Sequence, residues 1–250
     1  MTYCLAIQLD DGIVFCSDSR TNAGADRVST YSKMHRFALP GDRSLVLLTA
    51  GNLATSQAVV AQIQRDLEDG AEFNISVARY VSEIAEYVGD LSVAEQAKHN
   101  RPGGPNAEGF NATAMFILGG QIRGNDTELY LIYPEGNHIT ASEQHPYLQI
   151  GETKYGKPIL DRIIQRDTSP ETAMRCGLLS IDSTMRSNAT VGPPLECLFY
   201  RANSLLAQEH YCKLEENHPY LLGIRQRWDD SIRSAFEQLP SLSSMFATDP

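Results

Sequence analysis

Residues 2–20, TYCLAIQLDDGIVFCSDSR, determine how the fold begins. Apolar residues alternate from Tyr3 to Leu9 as they do in a half-buried strand, and Asp11-Gly12 is a typical hairpin turn. A second apolar run follows the turn and leads directly into Asp18. The pattern therefore predicts a hairpin that brings Asp18 back beside Thr2.

Thr2 has the side chain of a nucleophile. It is small enough for the preceding Met1 to be removed, and removal would leave a hydroxyl and a free α-amine on one residue. That pair is a nucleophile with its own general base. The unperturbed α-amine has a pKa of about 7.7–8.0, and a neighbouring cation would lower it further. We predict Lys33 as that cation and Asp18 as the carboxylate that holds Lys33 in place.

Four stretches of the sequence resemble proteasome β-type subunits, and in detail the bacterial Anbu (ancestral β-subunit) group. They are the opening hairpin, SDSRTNAGADRVSTYSKMHRF from residue 17, AGNLATSQAV from residue 50 and SIDSTMRSNATVG from residue 180. The resemblance extends over roughly residues 2 to 200. It implies Thr2 as nucleophile, Asp18 and Lys33 as supporting charges, and the Gly51 backbone N–H as the oxyanion donor.

The sequence departs from the proteasome pattern at two places. The interval from Asp18 to Lys33 is one residue shorter than in most subunits of that family. The late acid that the family usually places near the threonine is also missing, since Ser187-Asn188-Ala189-Thr190 occupies that region. The resemblance further implies a specificity pocket beside Thr2 that favours a mid-sized apolar residue before the cleaved bond. The residues expected to bind substrate are Thr21, Tyr31, Thr49 and Leu53.

Composition excludes several classes of function. The 250 residues are 42% hydrophobic, enough to bury a large core, and the net charge of −10 argues against binding to nucleic acid or an anionic membrane. No run of eighteen apolar residues is present, and no signal peptide is visible. The five scattered cysteines are typical of reduced thiols in a cytoplasmic protein.

The order of predicted elements indicates an α+β fold. Strands over 34–39 and 44–50 precede a helix that Gly51-Asn52 opens, where unpaired N–H groups favour an anion. A second helix is predicted from Ser76, with Val77, Val81, Ile84, Val88 and Leu91 along its apolar face. A loop at 98–111 is expected to form a surface flap or an assembly contact. Further strands are predicted at 112–118, 129–133, 147–150 and 194–200.

The helices of the second half begin after Gly151, at the Ser169-Pro170 cap, and near Pro219. Two sheets packed face to face between helix pairs, a four-layer αββα sandwich, account for this order, and the resemblance implies the same fold. We expect one domain over 1–250, with 201–250 as a C-terminal strand and helix extension.

Other catalytic chemistry is not indicated by the sequence. The six histidines are never at metal-ligand spacing, no Gly-x-Ser-x-Gly elbow is present, and neither a metal nor another cofactor is expected. Three functions remain open. The first is a threonine-type endopeptidase acting on peptides or unfolded proteins as a homo-oligomeric ring or open spiral, with no particular unfoldase indicated. The others are an N-terminal nucleophile amidase for a small molecule, and a silent scaffold subunit that keeps Met1.

Overall fold

The computed structural model describes residues 2–22, 28–99, 111–206 and 210–242. The strands are β1 (Tyr3–Leu9), β2 (Gly12–Ser17), β3 (Arg20–Asn22), β4 (Val28–Thr30), β5 (Met34–Leu39), β6 (Arg43–Gly51), β7 (Ala114–Ile122), β8 (Glu128–Ile132), β9 (His138–Thr140), β10 (Tyr147–Gly151), β11 (Leu195–Arg201) and β12 (His210–Leu214). The helices are α1 (Leu53–Asp69), α2 (Val81–His99), α3 (Lys157–Ile163), α4 (Pro170–Ser187) and α5 (Pro219–Glu237).

Two antiparallel five-stranded sheets form the centre of the fold. The first has the strand order β10-β1-β2-β11-β12, and the second has the order β5-β6-β7-β8-β9. In the first sheet β1 pairs with β2 in the register Cys4↔Ser17, and β11 pairs with β2 on the other side in the register Glu196↔Ser17. Strands β3 and β4 form a separate two-stranded ribbon. The hairpin predicted from the first twenty residues is therefore the centre of the first sheet.

The sheets lie between two pairs of helices. Side chains such as Phe15, Leu48 and Ile117 fill the space between the sheets. Helices α1 and α2 cover the outer face of the second sheet, where Ile63 and Ile84 are buried. Helix α4 packs on β1, β2 and β11, and α3 packs on α4. This order of layers confirms the predicted αββα sandwich, because each sheet buries one face against the other sheet and one against helices.

Helix α2 begins at Val81, five residues after the predicted start at Ser76. The Ser76 N–H and hydroxyl both donate to Asn74 Oδ1, at 2.8 and 2.6 Å, so they form a turn and do not cap a helix. Glu83 accepts the N–H groups of the two residues that precede the helix. Val77, predicted on the apolar face, consequently lies outside the helix and is 53% exposed.

Strand β7 extends to Ile122, past the predicted end at Leu118. The predicted strand ended before Gly119-Gly120, and glycine usually weakens a strand interior. Here both glycines are required by close packing. A Cβ on Gly119 would lie 2.9 Å from the Phe15 ring, and a Cβ on Gly120 would lie 2.1 Å from the Ser44 carbonyl oxygen.

Most of the predicted flap at 98–111 lies outside the described residues. Strands β3, β4 and β9 were not predicted from the sequence, and each has three residues. Strand β12 lies in the region 201–250, where a strand and a helix were expected. Short strands contain too few alternations to give a periodic signal.

The chain forms two compact units, Met1–Glu216 and Asn217–Pro250. The first contains both sheets and the first four helices. The second contains α5, on which Leu221 is buried while Ile232 and Phe236 are exposed. In the part of the chain that is described, no helix is long and apolar enough to cross a membrane.

Candidate active site

The β1–β2 hairpin places Asp18 beside Thr2, as its sequence predicts. The Tyr3 N–H donates to Asp18 Oδ1 at 3.0 Å, and the Asp18 N–H donates to the Tyr3 carbonyl at 3.2 Å. Asp18 therefore directly follows the strand that pairs with β1, and its carboxylate is bonded to the residue after Thr2. Thr2 itself is 9% exposed.

Asp18 and Lys33 form a buried ion pair. Lys33 Nζ donates to Asp18 Oδ1 at 2.6 Å and to the Arg20 carbonyl at 2.7 Å. The other carboxylate oxygen, Asp18 Oδ2, accepts the Gly192 N–H at 3.1 Å. Burial raises the pKa of the Asp18 carboxyl, and the Lys33 ammonium and the two backbone donors oppose that rise. The ammonium group is thus held in one position by a carboxylate that has hydrogen-bond partners of its own.

Two glycines allow the backbone to approach closely around Thr2 and the cleft. Gly151 has φ +85°, and a Cβ there would lie 1.9 Å from the Thr2 carbonyl oxygen. Gly51 has φ +100°, and a Cβ there would lie 2.4 Å from the Thr113 carbonyl oxygen. Any larger residue at either position would be strained and would push the backbone away from the site.

Gly51 is the last residue of β6 and does not belong to helix α1, which corrects the expectation that it opens that helix. Asn52 is the N-cap, and its side chain accepts the Thr55 N–H. The unpaired N–H groups at the start of α1 therefore begin after Gly51. The case for Gly51 as an oxyanion donor depends on its position in the cleft and not on the helix dipole.

A cleft of about 550 Å³ opens beside Thr2. It is lined by Thr2, Arg20, Thr21, Lys33, Thr49, Ala50, Gly51, Asn52, Leu53, Ser56, Asn111, Thr113 and Gly151. Six of the eight predicted site residues are in this set. Asp18 is the seventh and lies behind the cleft, where it contacts Lys33. No carboxylate lines the described part of the cleft, which contains hydroxyl, amide and small apolar groups beside two cations.

Tyr31 is the predicted site residue that the structure does not bring to the cleft. Its backbone N–H donates to the Ser19 carbonyl at 3.0 Å, and its side chain is 42% exposed. It follows the short strand β4 directly. The chain therefore passes the site at this point without directing the ring into the described cleft.

Several residues around the site were not predicted from the sequence. Gly192, which donates to Asp18, is 174 positions away along the chain. Near the position of the missing acid, Asn188 Nδ2 donates to Glu152 Oε2 at 3.2 Å. The Glu152 N–H donates to the Thr2 carbonyl at 2.7 Å. The sequence signal that could have indicated Glu152 is its place directly after Gly151, at the end of a strand.

Metal ligation is not indicated at this site. Among the described residues, no group of three or more histidine, cysteine, aspartate or glutamate side chains is arranged to hold a metal ion. The groups available for chemistry are the Thr2 hydroxyl, the Lys33–Asp18 pair and the backbone N–H groups near Gly51.

Comparison with known proteins identifies the family. A family model for the proteasome subunit matches residues 2–198. The chain belongs to the proteasome family. A search of curated proteins gave no match. The matched residues of the proteasome family model include Thr2, Asp18, Lys33 and Gly51.

Solved structures of other proteasome-family proteins share the fold over almost the whole chain. Anbu (ancestral beta-subunit) from Yersinia bercovieri is 42% identical with a TM-score of 0.89, covering 96% of this chain and 99% of that one. The helical assembly of the Anbu complex from Pseudomonas aeruginosa is 44% identical with a TM-score of 0.89, covering 96% and 98%. An Anbu (Gly-1) mutant from Hyphomicrobium sp. strain MC1 is 37% identical with a TM-score of 0.88, covering 96% and 99%. The similarity to the Anbu group expected from the sequence is confirmed.

Proposed function

We propose that the chain is a threonine-type peptidase whose nucleophile is the Thr2 hydroxyl, exposed when Met1 is removed. The observation that carries the proposal is the buried Lys33–Asp18 ion pair: Lys33 lines the same cleft as Thr2, and Asp18 accepts the N–H of Tyr3, the residue after Thr2. A buried ion pair is costly to desolvate and is weak evidence for stability. An ion pair held at a hydroxyl nucleophile is the arrangement expected where a charge tunes a base.

The proposed reaction is acyl transfer in two steps. Thr2 Oγ1 attacks the amide carbonyl while the Thr2 α-amine accepts the hydroxyl proton, and the amine then gives that proton to the leaving nitrogen. This forms an ester between Thr2 and the acyl part of the substrate. Water then hydrolyses the ester, with the amine again acting as the base. We assign the Gly51 N–H to the developing oxyanion, a contribution of about 3 kcal/mol for such donors.

Thr2→Ala tests the nucleophile. The substitution removes the hydroxyl and keeps the start of β1, so we expect folding to persist and peptide hydrolysis to be abolished. A peptide epoxyketone should modify the wild type at Thr2 and leave Thr2→Ala unmodified. Thr21→Ala is the matched control, since it removes a threonine hydroxyl from the same cleft. Equal turnover by Thr2→Ala and the wild type would exclude this site.

Peptide-library cleavage separates the peptidase from a small-molecule amidase of the same fold. An amidase should cleave small amides but no member of the library. The intact mass of the purified protein separates both enzymes from a scaffold. Retention of Met1 in every molecule would block the α-amine and exclude catalysis by Thr2.

We further propose that the protein assembles as a homo-oligomer in the cytoplasm. The exposed apolar side chains of α5, with Phe236 74% exposed, support assembly, as does the helical assembly of the Pseudomonas aeruginosa neighbour. The five cysteines, all free thiols in the structure, are consistent with that compartment. Sedimentation at micromolar concentration that gives only a 27.6 kDa species would contradict assembly.

A further inference from the structure

A second buried carboxylate, Glu196, lies close behind the proposed active site. It is 4% exposed and is directly opposite Ser17 in the pairing of β11 with β2. Cys4 is opposite Ser17 on the other side. Strand β2 therefore separates Glu196 from β1, so the backbone of Glu196 is about 10 Å from that of Cys4. Its neighbours in β11, Leu198 and Tyr200, belong to the core between the sheets, so Glu196 faces that interior.

Glu196 accepts hydrogen bonds from two elements. Ser19 Oγ donates to Glu196 Oε1 at 3.3 Å, and Tyr211 Oη donates to Glu196 Oε2 at 3.0 Å. Ser17, opposite Glu196, and Ser19, bonded to it, are the residues on either side of Asp18. The segment that carries Asp18 is therefore held by Glu196 through Ser19, while the Asp18 carboxylate is held by Lys33.

The charge of Glu196 acts on groups from both sheets. From the second sheet, the Arg36 guanidinium lies 4.2 Å from the centre of the Tyr211 ring. Burial, followed by the charge of Glu196, raises the pKa of Tyr211 to about 12. Burial lowers the pKa of His35, and Glu196 opposes that shift.

Glu196 is in the same electrostatic environment as the Asp18–Lys33 pair. Burial raises the pKa of the Cys4 thiol, with Lys33 lowering it and both Asp18 and Glu196 raising it. Lys213, the neighbour of Glu196 on β12, pairs instead with Glu215 at 3.8 Å and is 47% exposed.

Two polar atoms near Glu196 have no hydrogen-bond partner. Among the described residues, the buried side-chain nitrogen and oxygen atoms that lack a partner are Ser17 Oγ and Arg36 Nη1. One belongs to the residue opposite Glu196, and the other to the side chain stacked on its Tyr211 partner. Unsatisfied buried groups require a specific explanation.

We propose that Glu196 is a positioning residue for the Asp18–Lys33 pair. It fixes the Ser17–Ser19 segment through Ser19, and its buried negative charge favours the protonated form of the Thr2 α-amine. Lys33 has the opposite effect on the amine, because two cations disfavour each other. The α-amine is thus set between the cations Lys33 and Arg20 on the cleft wall and the anions Asp18 and Glu196 behind it. This inference rests on the proposed function.

Glu196→Gln tests the charge at nearly constant side-chain size. We expect kcat to fall about tenfold, because the glutamine amide has one accepting oxygen and cannot accept from both Ser19 and Tyr211, with KM unchanged because Glu196 does not line the cleft. In the pH profile of kcat/KM, the acid limb is the low-pH side on which activity falls as the α-amine is protonated. Its midpoint should move down by about half a pH unit. Lys33→Met should move the same limb upward. Ser19→Ala keeps the charge and removes one hydrogen bond, so we expect a smaller loss of kcat with the acid limb in place.

The Thr2 α-amine can also be titrated without turnover. The rate at which fluorodinitrobenzene labels the N-terminal peptide, followed by mass spectrometry across pH, reports the pKa of the amine directly. A lower amine pKa in Glu196→Gln supports the positioning role even if no peptide is cleaved, in which case only the proposed peptidase function fails. An unchanged amine pKa overturns the role. If Glu196→Gln does not fold, wild-type kcat in Ser19→Ala overturns it as well.

Discussion

The two sides of Thr2 differ in what they contain. Behind it lie charged groups that are almost completely buried, with Asp18 and Lys33 joined at 2.6 Å and Gly192 closing the arrangement. In front of it is an open cleft whose wall, apart from the cations Lys33 and Arg20, carries neutral side chains such as Thr49 and Leu53. Charges that are buried and paired have one geometry, whereas neutral groups on a cleft wall adapt to what binds. The rear side should therefore control the rate of the chemical step, and the front side should control which substrate binds.

The largest effect should follow from removing the charge behind Thr2. Lys33→Met keeps the length of the side chain and removes the ammonium, so we expect kcat to fall by about 10²–10⁴, the range that a positioned base contributes. The amine must be neutral to accept a proton. Its unperturbed pKa is about 7.7–8.0, and wild type should show an acid limb in kcat/KM below that value. In Lys33→Met the limb should move upward, because the nearby cation is gone and Asp18 remains.

The measurement for Lys33→Met is the pH dependence of cleavage of one fluorogenic peptide. Lys157→Met is the control, since Lys157 also pairs with an aspartate but is 46% exposed. An unchanged acid limb with near-normal rates in Lys33→Met would mean that the charge of Lys33 does not tune the base. It would also contradict the claim that the buried charges behind Thr2 control the rate of the chemical step.

The second effect concerns stability. Asp18→Asn leaves Lys33 buried with a neutral partner, and breaking a buried pair costs about 3–5 kcal/mol. Asp161→Asn removes one partner of the exposed Lys157 pair and should cost about 0–1 kcal/mol. Urea unfolding monitored by circular dichroism measures both. The double variant Asp18→Asn with Lys33→Met should recover part of the loss, since no unpaired charge stays buried. Equal unfolding midpoints for Asp18→Asn and Asp161→Asn would contradict a special role for burial.

The contrast between the two sides also explains what could be predicted from the sequence. Thr2 and Asp18 are brought together by a hairpin of sixteen residues, and alternating apolar residues with Asp11-Gly12 are sufficient to predict it. Gly192 and Glu196 reach the same point only because β11 pairs with β2, nearly 180 positions later. Pairing between distant strands leaves no periodic signal near either strand, so the outer part of the network could not be predicted.

Errors in the prediction have local causes of the same kind. The start of α2 was placed at Ser76 because serine is a common N-cap, but Asn74 binds its N–H and hydroxyl first. Tyr31 was expected in the pocket, whereas it follows the short strand β4 and its side chain is 42% exposed. Fold class depends on the apolar patterns of many segments, which all indicate the same fold, and it was therefore predicted correctly. Boundaries and side-chain directions depend on one or two contacts.

A smaller effect is expected at the front of the site. Leu53 is the first residue of α1 and lines the cleft. Leu53→Ala should raise KM about tenfold for peptides with a mid-sized apolar residue before the cleaved bond, which corresponds to about 1.4 kcal/mol, and should leave kcat and the acid limb unchanged. Tyr31→Ala is the matched control, since Tyr31 does not line the described cleft, and its kinetics should match wild type. A KM effect in Tyr31→Ala of the same size as in Leu53→Ala would restore Tyr31 to the specificity pocket.

The smallest effect should come from His35, behind the site and two residues after Lys33. Burial lowers the pKa of His35 from 6.5, and the negative charge of Glu196 only partly opposes that shift. Below pH 6.5 the unfolded chain therefore binds a proton that folded His35 binds less readily. Stability contributed by neutral His35 is present above pH 6.5 and is lost as the pH falls from 6.5 toward the lower folded-state pKa.

His35→Gln removes this titration, so its melting temperature should fall less than that of wild type between pH 7 and pH 5. His138→Gln, which removes a histidine from β9, is the control. Parallel pH dependence of melting in His35→Gln and wild type would mean that His35 is not held neutral, and that the buried rear side does not extend as far as β5.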